Sequence, residues 1–315
     1  MAQDEGPGRS WLGLGVEDWA AVGVGAAAAV GVALLARSRM SAGPTGEVVE
    51  LDGLESAPFP GQQGPDAVVI VPPNFRPWPS LRVWIYARGF GNCSRNVVGD
   101  ADSYCTAGGR RRAASRLASQ LARSGANALV VVPELRYDAA SSEPGALARP
   151  GGLAALLDEV LARLEPRIGR WSSSSIDRLG VMSHSGGYLT CAAMVESGHP
   201  ALRSVVLLDS LYGADDRFAR WVEANAGGMS PRGGYRFADV FTRNGGTADR
   251  SYALADRVAP AIERAGNAQS MLYDPSAGTL SAADYGRIAV LFKYSALDHT
   301  EVTRYYPERF WAAGW

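Results

Sequence analysis

The segment LGVMSHSGGY, residues 179–188, passes from an apolar run into a turn of small residues. The segment LTCAAMV, residues 189–195, predicts a buried helix that ends near Gly198 and Pro200. A strand, a tight turn and a helix, with Ser185 at the apex, form the arrangement called a nucleophile elbow. The alternative is an ordinary strand–turn–helix in which Ser185 only caps the helix.

The common form of the elbow motif is G-x-S-x-G, and here the five residues read SHSGG. Ser183 replaces the first glycine, at a position where strand and helix crowd each other and a small side chain is needed. The turn exposes the hydroxyl of Ser185 and leaves the backbone N–H of Gly186 free to stabilise an oxyanion. Gly187 completes the motif, and the ring of His184 is expected to point away from the hydroxyl of Ser185.

Candidate catalytic partners of Ser185 follow two later strands. The segment SVVLL, residues 204–208, predicts a buried strand that leads directly into Asp209, at the carboxyl edge of a parallel sheet. The segment GRIAVLFKY, residues 286–294, predicts the last strand, and His299 lies in the loop after it. We expect His299 to act as a general base on Ser185 and Asp209 to orient His299.

Both partners also have purely structural interpretations. Asp209 would serve equally as a helix cap or turn residue, and His299 as an ordinary residue at a helix start. Asp249 is an alternative acid, because residues 237–242 predict the penultimate strand and Asp249 follows it. Asp209 is preferred because it ends its strand directly, whereas Asp249 lies several residues into a loop.

The composition fits one large α/β domain. The chain has 315 residues, 47% of them hydrophobic, and a net charge of −1, which allows a sizeable core. The near-neutral balance argues against a nucleic-acid partner, which would require a basic surface. Only three histidines are present, so a multi-histidine metal site is disfavoured and no cofactor is predicted. Cys93 and Cys105 share one loop-like region and would be able to pair in an exported domain.

The N-terminal part of the chain, residues 1–40, contains an apolar run. The segment WAAVGVGAAAAVGVALLA, residues 19–36, reaches the lower end of the roughly 17–25 residues that a spanning helix needs. It predicts a single transmembrane helix and hence membrane association, with its orientation left open. The alternatives are a signal peptide of an exported protein and a buried helix of a cytoplasmic soluble one. Residues 41–66 predict a linker, followed by one domain at 67–315.

Strands alternate with helical segments through this domain. Residues 67–71 and 127–133 predict buried strands, and residues 110–124 and 151–164 predict helices. The alternation predicts an α/β fold with a mostly parallel, doubly wound sheet and helices on both faces.

The segments SHSGGY, LLDSLYG, RGFGNC and LDHTEV together resemble the serine α/β-hydrolase superfamily. They are most similar to bacterial members in which HSGGY is followed by a strand ending in an Asp-x-Leu-Tyr-Gly motif. The resemblance extends from about Ala67 to the end of the chain. It implies the α/β-hydrolase fold and a Ser–Asp–His triad in this order along the chain. It implies no particular substrate.

The resemblance also suggests a second donor for the oxyanion. The predicted strand LRVWIYA, residues 81–87, runs into the glycine-rich turn RGFGN. In the superfamily this turn commonly begins His-Gly, and the residue after the glycine supplies an N–H, which corresponds to Phe90. Arg88 stands in the place of the histidine. A dinucleotide-binding loop is disfavoured because the third glycine is absent and no helix-forming run follows at once.

The sequence therefore predicts a serine hydrolase, esterase- or lipase-like, that cleaves a carboxylic ester through an acyl-enzyme on Ser185. An amide or thioester, as in a peptidase, is the alternative bond. The expected partner is a small-molecule or acyl substrate. The alternative is a non-enzymatic function, in which a catalytically inactive hydrolase-fold protein serves as a membrane-tethered binding or scaffolding module. The replacement at Arg88 and the apolar segment 19–36 favour this alternative.

Overall fold

The computed structural model describes residues 46–62, 64–106, 109–136, 143–230 and 234–315. The predicted transmembrane helix at 19–36, and the N-terminal segment that contains it, lie outside these ranges. Within the described ranges, no helix has the length and apolar character that crossing a membrane requires.

The strands of the described residues are β1 (Glu47–Leu51), β2 (Ala67–Val71), β3 (Leu81–Ala87), β4 (Ser103–Tyr104), β5 (Arg111–Arg112), β6 (Leu129–Pro133), β7 (Ile176–His184), β8 (Leu202–Leu208), β9 (Arg236–Thr242), β10 (Met271–Asp274) and β11 (Val290–Ser295). Nine of them form one sheet in the order β1-β2-β6-β3-β7-β8-β9-β11-β10, and β4 pairs with β5. β2 is antiparallel to both β1 and β6, and the other pairs of the large sheet are parallel. The predicted, mostly parallel α/β sheet is confirmed.

The helices of the described residues are α1 (Ser94–Val98), α2 (Leu117–Ser124), α3 (Gly152–Ile168), α4 (Tyr188–Glu196), α5 (Asp215–Asn225), α6 (Ala248–Arg264), α7 (Ala282–Arg287) and α8 (Val302–Ala312). One face of the sheet is covered by α3 to α6, with Leu156, Phe218 and Val258 in a single buried cluster. The other face is covered by α1, α2, α7 and α8, with Leu121 and Phe310 in a second cluster. Helices therefore lie on both faces, as predicted.

The strands at the centre of the sheet are buried on both faces. In β3, Val83 and Ile85 join one core cluster, while Trp84 and Tyr86 join the other, because successive side chains of a strand point to opposite faces. Gly180 of β7 pairs with Trp84 in register. A Cβ atom at Gly180 would lie 2.5 Å from Cε3 of Trp84, so the indole ring occupies the space that any larger residue would need.

Part of the predicted linker at residues 41–66 is a strand of the sheet. In β1, Val49 and Leu51 are buried while Val48 and Glu50 are exposed, which is the alternation of a half-buried edge strand. The glycine, proline and acidic residues around this short strand hid the alternation from an interpretation based on composition. The short strand β10 was likewise not predicted.

A disulfide joins Cys93 and Cys105, which are 12 residues apart in sequence. Cys93 immediately precedes α1, and Cys105 follows β4. The bond therefore ties the β4–β5 hairpin to the segment that follows the RGFGN turn. Cys191 is free and buried.

Asp239 of β9 is an acidic residue in the core. Its side chain is fully buried, and neither carboxyl oxygen has a hydrogen-bond partner among the described residues. Burial raises the pKa of the Asp239 carboxyl to about 7, and the nearby charges of Asp209 and Asp215 also raise it, against a lowering influence of Ser251. Folding therefore favours the protonated form of Asp239.

This raised pKa predicts a pH-dependent stability. The pKa of Asp239 is higher in the folded than in the unfolded chain, so its titration makes the free energy of unfolding depend on pH. The contribution of Asp239 to this free energy is fully present below about pH 3.8 and is lost as the pH rises through about 7. The loss is on the order of 4 kcal/mol. Asp239→Asn should flatten the slope of the free energy of unfolding between pH 4 and 8, measured by urea denaturation. Asp256→Asn, at an exposed position of α6, should leave the slope unchanged, and an equal slope in all three proteins would contradict the assignment.

Candidate active site

Three strand ends bring the predicted residues to one edge of the sheet. Ser185 follows β7, Asp209 follows the neighbouring strand β8, and His299 lies in the loop between β11 and α8. The carboxyl ends of parallel strands share an edge, which is where open α/β sheets form their sites. The His299 loop starts two strands away from Asp209 and reaches back across β9.

A continuous chain of hydrogen bonds joins the three side chains. Ser185 Oγ lies 2.8 Å from His299 Nε2, and His299 Nδ1 lies 2.6 Å from Asp209 Oδ2. Because an ionised carboxylate only accepts hydrogen bonds, the imidazole proton resides on Nδ1. Nε2 of neutral His299 is then the acceptor for the hydroxyl proton of Ser185.

The elbow holds Ser185 in an uncommon backbone conformation. Ser185 has φ of +51° and Asp209 has φ of +46°, and such left-handed conformations cost non-glycine residues about 1–3 kcal/mol each. Close contacts enforce the geometry of Ser185. A Cβ atom at Gly187 would lie 2.3 Å from the carbonyl oxygen of Ala87, and one at Gly89 would lie 2.7 Å from Cβ of Ser185. Both glycines are therefore needed for the RGFGN turn to pack against the elbow.

Ser183, the replacement for the first glycine of the motif, is accommodated by a hydrogen-bond network. Its side chain is fully buried, and its Oγ lies 2.9 Å from Oγ of Ser210. Ser210 donates onward to the carbonyl oxygen of Ser185 at 2.8 Å, so Ser183 is the donor to Ser210. The substitution thus links the elbow to the end of β8.

The Asp209 carboxylate is surrounded by donors that the sequence analysis missed. Thr242 donates through its N–H to Oδ1 at 3.2 Å and through its hydroxyl to Oδ2 at 2.7 Å. The hydroxyl of Thr247 donates to Oδ1. Burial favours a higher pKa for Asp209, but these bonds and that of His299 outweigh it and hold the pKa below its usual value. A Cβ atom at Gly245 would lie 1.9 Å from Oδ2, so this loop approaches the carboxylate as only glycine permits.

His184 packs against His299, a contact that the sequence analysis did not predict. The two ring centroids are 4.6 Å apart, and His184 Nε2 donates to the backbone carbonyl of His299 at 2.7 Å. Burial lowers the pKa of His184 to about 4, and the positive charge that His299 can carry lowers it further. His184 is therefore neutral at physiological pH and holds the backbone of the His299 loop.

Arg88 supports the turn that the sequence analysis assigned to the oxyanion. It is fully buried and forms an ion pair with Glu134, with Nε 2.9 Å from Oε1. The other carboxylate oxygen of Glu134 accepts from the N–H and the hydroxyl of Ser94, at 2.9 and 2.7 Å. Arg88 also donates to the carbonyl oxygens of Gly89 and Leu135. Arginine at this position therefore ties the turn to the end of β6.

The two expected backbone donors belong to segments that contact or include Ser185. Gly186 belongs to a short 3-10 helix, Ser185–Gly187, that continues into α4, and helix starts present unpaired N–H groups. Phe90 follows Gly89, the residue packed against Cβ of Ser185. The side chain of Phe90 is 47% exposed.

Tyr212 lies near His299, whereas Asp249 does not contact it. The ring of Tyr212 is 6.3 Å from that of His299 and 6.2 Å from that of Tyr188. Burial and the charge of Asp209 raise the pKa of Tyr212 to about 12, although an interaction with the Ser185 side chain opposes this. Asp249, the alternative acid, is exposed in the first turn of α6 and lines a surface pocket. The ring nitrogen of His299 is paired with Asp209 instead.

This arrangement is able to withdraw a proton from a serine hydroxyl. The hydroxyl, imidazole and carboxylate are aligned within hydrogen-bond distance. Among the residues that the structure describes, no group of three or more His, Cys, Asp or Glu side chains is placed to hold a metal ion.

Comparison with known proteins finds similar structures. No family model and no curated protein matches the chain. A serine-to-alanine mutant of the feruloyl esterase module from Clostridium thermocellum, complexed with sinapinate, is 14% identical with a TM-score of 0.52, covering 85% of this chain and 88% of that one. A structure described as FAE is 14% identical with a TM-score of 0.53, covering 87% and 89%. The chain therefore shares the fold of these α/β-hydrolases.

The buried Arg88–Glu134 pair gives a stability prediction. Arg88→Met leaves Glu134 buried without its cation, which should reduce the free energy of unfolding by about 3–5 kcal/mol. Adding Glu134→Gln removes the uncompensated charge and should restore much of the loss. Arg95 pairs with Glu50 on the surface, with exposures of 56% and 40%, so Arg95→Met should cost less than about 1 kcal/mol. Urea denaturation measures all three variants, and an Arg88→Met loss no larger than that of Arg95→Met would contradict the role of the buried pair.

Proposed function

We propose that this protein is a serine hydrolase that cleaves a carboxylic ester through an acyl-enzyme on Ser185. The observation that carries the proposal is the hydrogen-bond chain from Ser185 Oγ to His299 at 2.8 Å and on to Asp209 at 2.6 Å. The left-handed conformation of Ser185 strengthens it, because backbone strain in folded proteins clusters at functional sites.

The reaction begins with attack of Ser185 Oγ on the ester carbonyl carbon. His299 Nε2 takes the hydroxyl proton as the C–O bond forms, and the carbonyl oxygen becomes an oxyanion. The backbone N–H groups of Gly186 and Phe90 bind this oxyanion. The intermediate then collapses: the bond to the alcohol oxygen breaks, His299 returns the proton to the leaving alcohol, and the acyl group remains on Ser185.

Water completes the cycle. It acts as the nucleophile in the second half of the reaction, and Ser185 is now the leaving group. His299 accepts a proton from the water as its oxygen attacks the acyl carbon. The new tetrahedral intermediate then collapses: the bond from the acyl carbon to Ser185 Oγ breaks, His299 returns the proton to Oγ, and the carboxylic acid leaves. Asp209 keeps the Nδ1 proton of His299 in place and stabilises the imidazolium that forms in each half of the reaction. His184, with its pKa lowered to about 4, stays neutral and adds no fixed charge that would oppose this imidazolium.

The choice of an ester draws support from the neighbouring structures. One is described as a feruloyl esterase module complexed with sinapinate. At 14% identity this likeness supports the fold, and the bond cleaved by the present chain is our proposal. We further propose the narrower grouping with bacterial hydrolases of the HSGGY type, on the sequence of the elbow and of the β8 end.

Each single substitution in the chain of hydrogen bonds should cause a large loss of activity. The losses from two such substitutions should not add. Ser185→Ala and His299→Ala should each lower kcat/KM for 4-nitrophenyl butyrate by roughly 10⁶-fold, and Asp209→Asn by roughly 10⁴-fold. The double variant Ser185→Ala/His299→Ala should be no worse than Ser185→Ala, because the two groups act as one unit.

Asp249→Asn is the matched control, since it removes the alternative acid. It should leave kcat/KM within about twofold of the wild-type value, as Asp249 is exposed and outside the hydrogen-bond chain. An Asp249→Asn variant as inactive as Asp209→Asn, or a fully active Ser185→Ala protein, would overturn the assignment.

A further inference from the structure

Arg112 of β5 lies against the turn that carries Phe90. Its guanidinium carbon is 5.8 Å from the centroid of the Phe90 ring, within the range of a cation–π contact. The side chain is half-buried, whereas those of the adjacent Arg110 and Arg111 are exposed. The hairpin of β4 and β5, tied to α1 by the disulfide, holds this cation beside the elbow.

Gly91 shows how closely the guanidinium approaches the turn. A Cβ atom at Gly91 would lie 2.2 Å from one terminal nitrogen of Arg112 and 2.6 Å from its guanidinium carbon. Gly91 also has φ of +68°, a conformation that glycine adopts at little cost. The second glycine of RGFGN thus makes room for Arg112, as the first makes room for Ser185.

Arg112 has no anionic partner in the part of the chain that the structure describes. Neighbouring arginines are engaged: Arg304 pairs with Asp102 at 2.8 Å, and Arg111 donates to the backbone of Asp102 at 3.2 Å. The buried Arg88 is paired with Glu134. For Arg112, the contact found is the aromatic face of Phe90, which leaves its hydrogen-bond donors available to a ligand.

The RGFGN turn contacts both Ser185 and Arg112. Gly89 packs on Ser185 and Gly91 packs on Arg112. Since consecutive Cα atoms are about 3.8 Å apart, the Cα atoms of Gly89 and Gly91 are separated by at most about 7.6 Å. An ester whose carbonyl lies at Ser185 would therefore reach Arg112 with a short chain or a single aromatic ring.

We infer that Arg112 binds a carboxylate on the substrate, so that the preferred esters are anionic and Phe90 covers their apolar part. This inference rests on the proposed ester hydrolysis. A guanidinium offers two parallel N–H groups that match the two oxygens of a carboxylate. One guanidinium balances the single charge of a carboxylate, whereas a phosphate carries up to two charges.

The test compares charged and neutral esters of the same shape. On the acyl side, mono-4-nitrophenyl glutarate is compared with its methyl ester. On the alcohol side, 4-acetoxybenzoate is compared with its methyl ester. The ratio of kcat/KM for the charged over the neutral member of each pair is measured in wild type, Arg112→Gln, Arg112→Lys and the control Arg111→Gln.

We expect wild type to favour the charged member of at least one pair, and Arg112→Gln to reduce that ratio by about tenfold or more, the effect of losing a charge-assisted hydrogen bond. Arg112→Lys should recover part of the ratio, and Arg111→Gln all of it. Any loss for the neutral esters in Arg112→Gln should be smaller than the loss for the charged esters. A ratio that does not change in Arg112→Gln, or an equal loss for both members of each pair, overturns the inference and leaves Arg112 as a structural support of the turn.

A binding measurement separates this inference from the proposed function. Calorimetry on the Ser185→Ala protein compares 3-phenylpropanoate with 3-phenylpropanamide, with and without Arg112→Gln. Tighter binding of the carboxylate that disappears in Arg112→Gln supports the site even if no ester is cleaved. Equal binding of the acid and the amide overturns it, whereas inactivity of wild type towards every ester overturns the proposed function alone.

Discussion

The hydrogen bond between His299 Nδ1 and Asp209 Oδ2, 2.6 Å long, connects parts of the chain that are 90 residues apart. It requires the ends of β8 and β11 to lie at one edge, with β9 between them. It also requires a buried carboxylate to remain ionised, which the hydroxyls of Thr242 and Thr247 make feasible. The strand order and the loop after β9 are therefore both required for the hydrogen bond between His299 and Asp209.

Around this contact, backbone segments approach more closely than side chains would allow. Gly89 and Gly187 let the RGFGN turn and the elbow meet, and Gly245 lets the β9 loop close over Asp209. Ser185 and Asp209 are held in left-handed conformations within this framework. The energetic cost of that strain is borne by the two large core clusters on either side of the sheet.

Local patterns in the sequence were sufficient to locate the residues of the hydrogen-bond chain. SHSGG marks a turn by its small residues, Asp209 directly follows an apolar strand, and His299 lies in the loop after the last strand. The supporting contacts were not accessible in this way. Which donors face Asp209, and which acid pairs with Arg88, depends on which strands are neighbours in space. β1 was missed for a related reason, because a short edge strand is stabilised by its pairing with β2 rather than by its own composition.

Labelling with a fluorophosphonate probe, followed by peptide mass mapping, tests the central claim most directly. Such a probe reacts with a serine hydroxyl only where a neighbouring base activates it. We expect one label per chain, on the peptide containing Ser185, and loss of labelling in His299→Ala while the protein remains folded. A folded wild-type protein that takes up no label, or that is labelled at another residue, would contradict it.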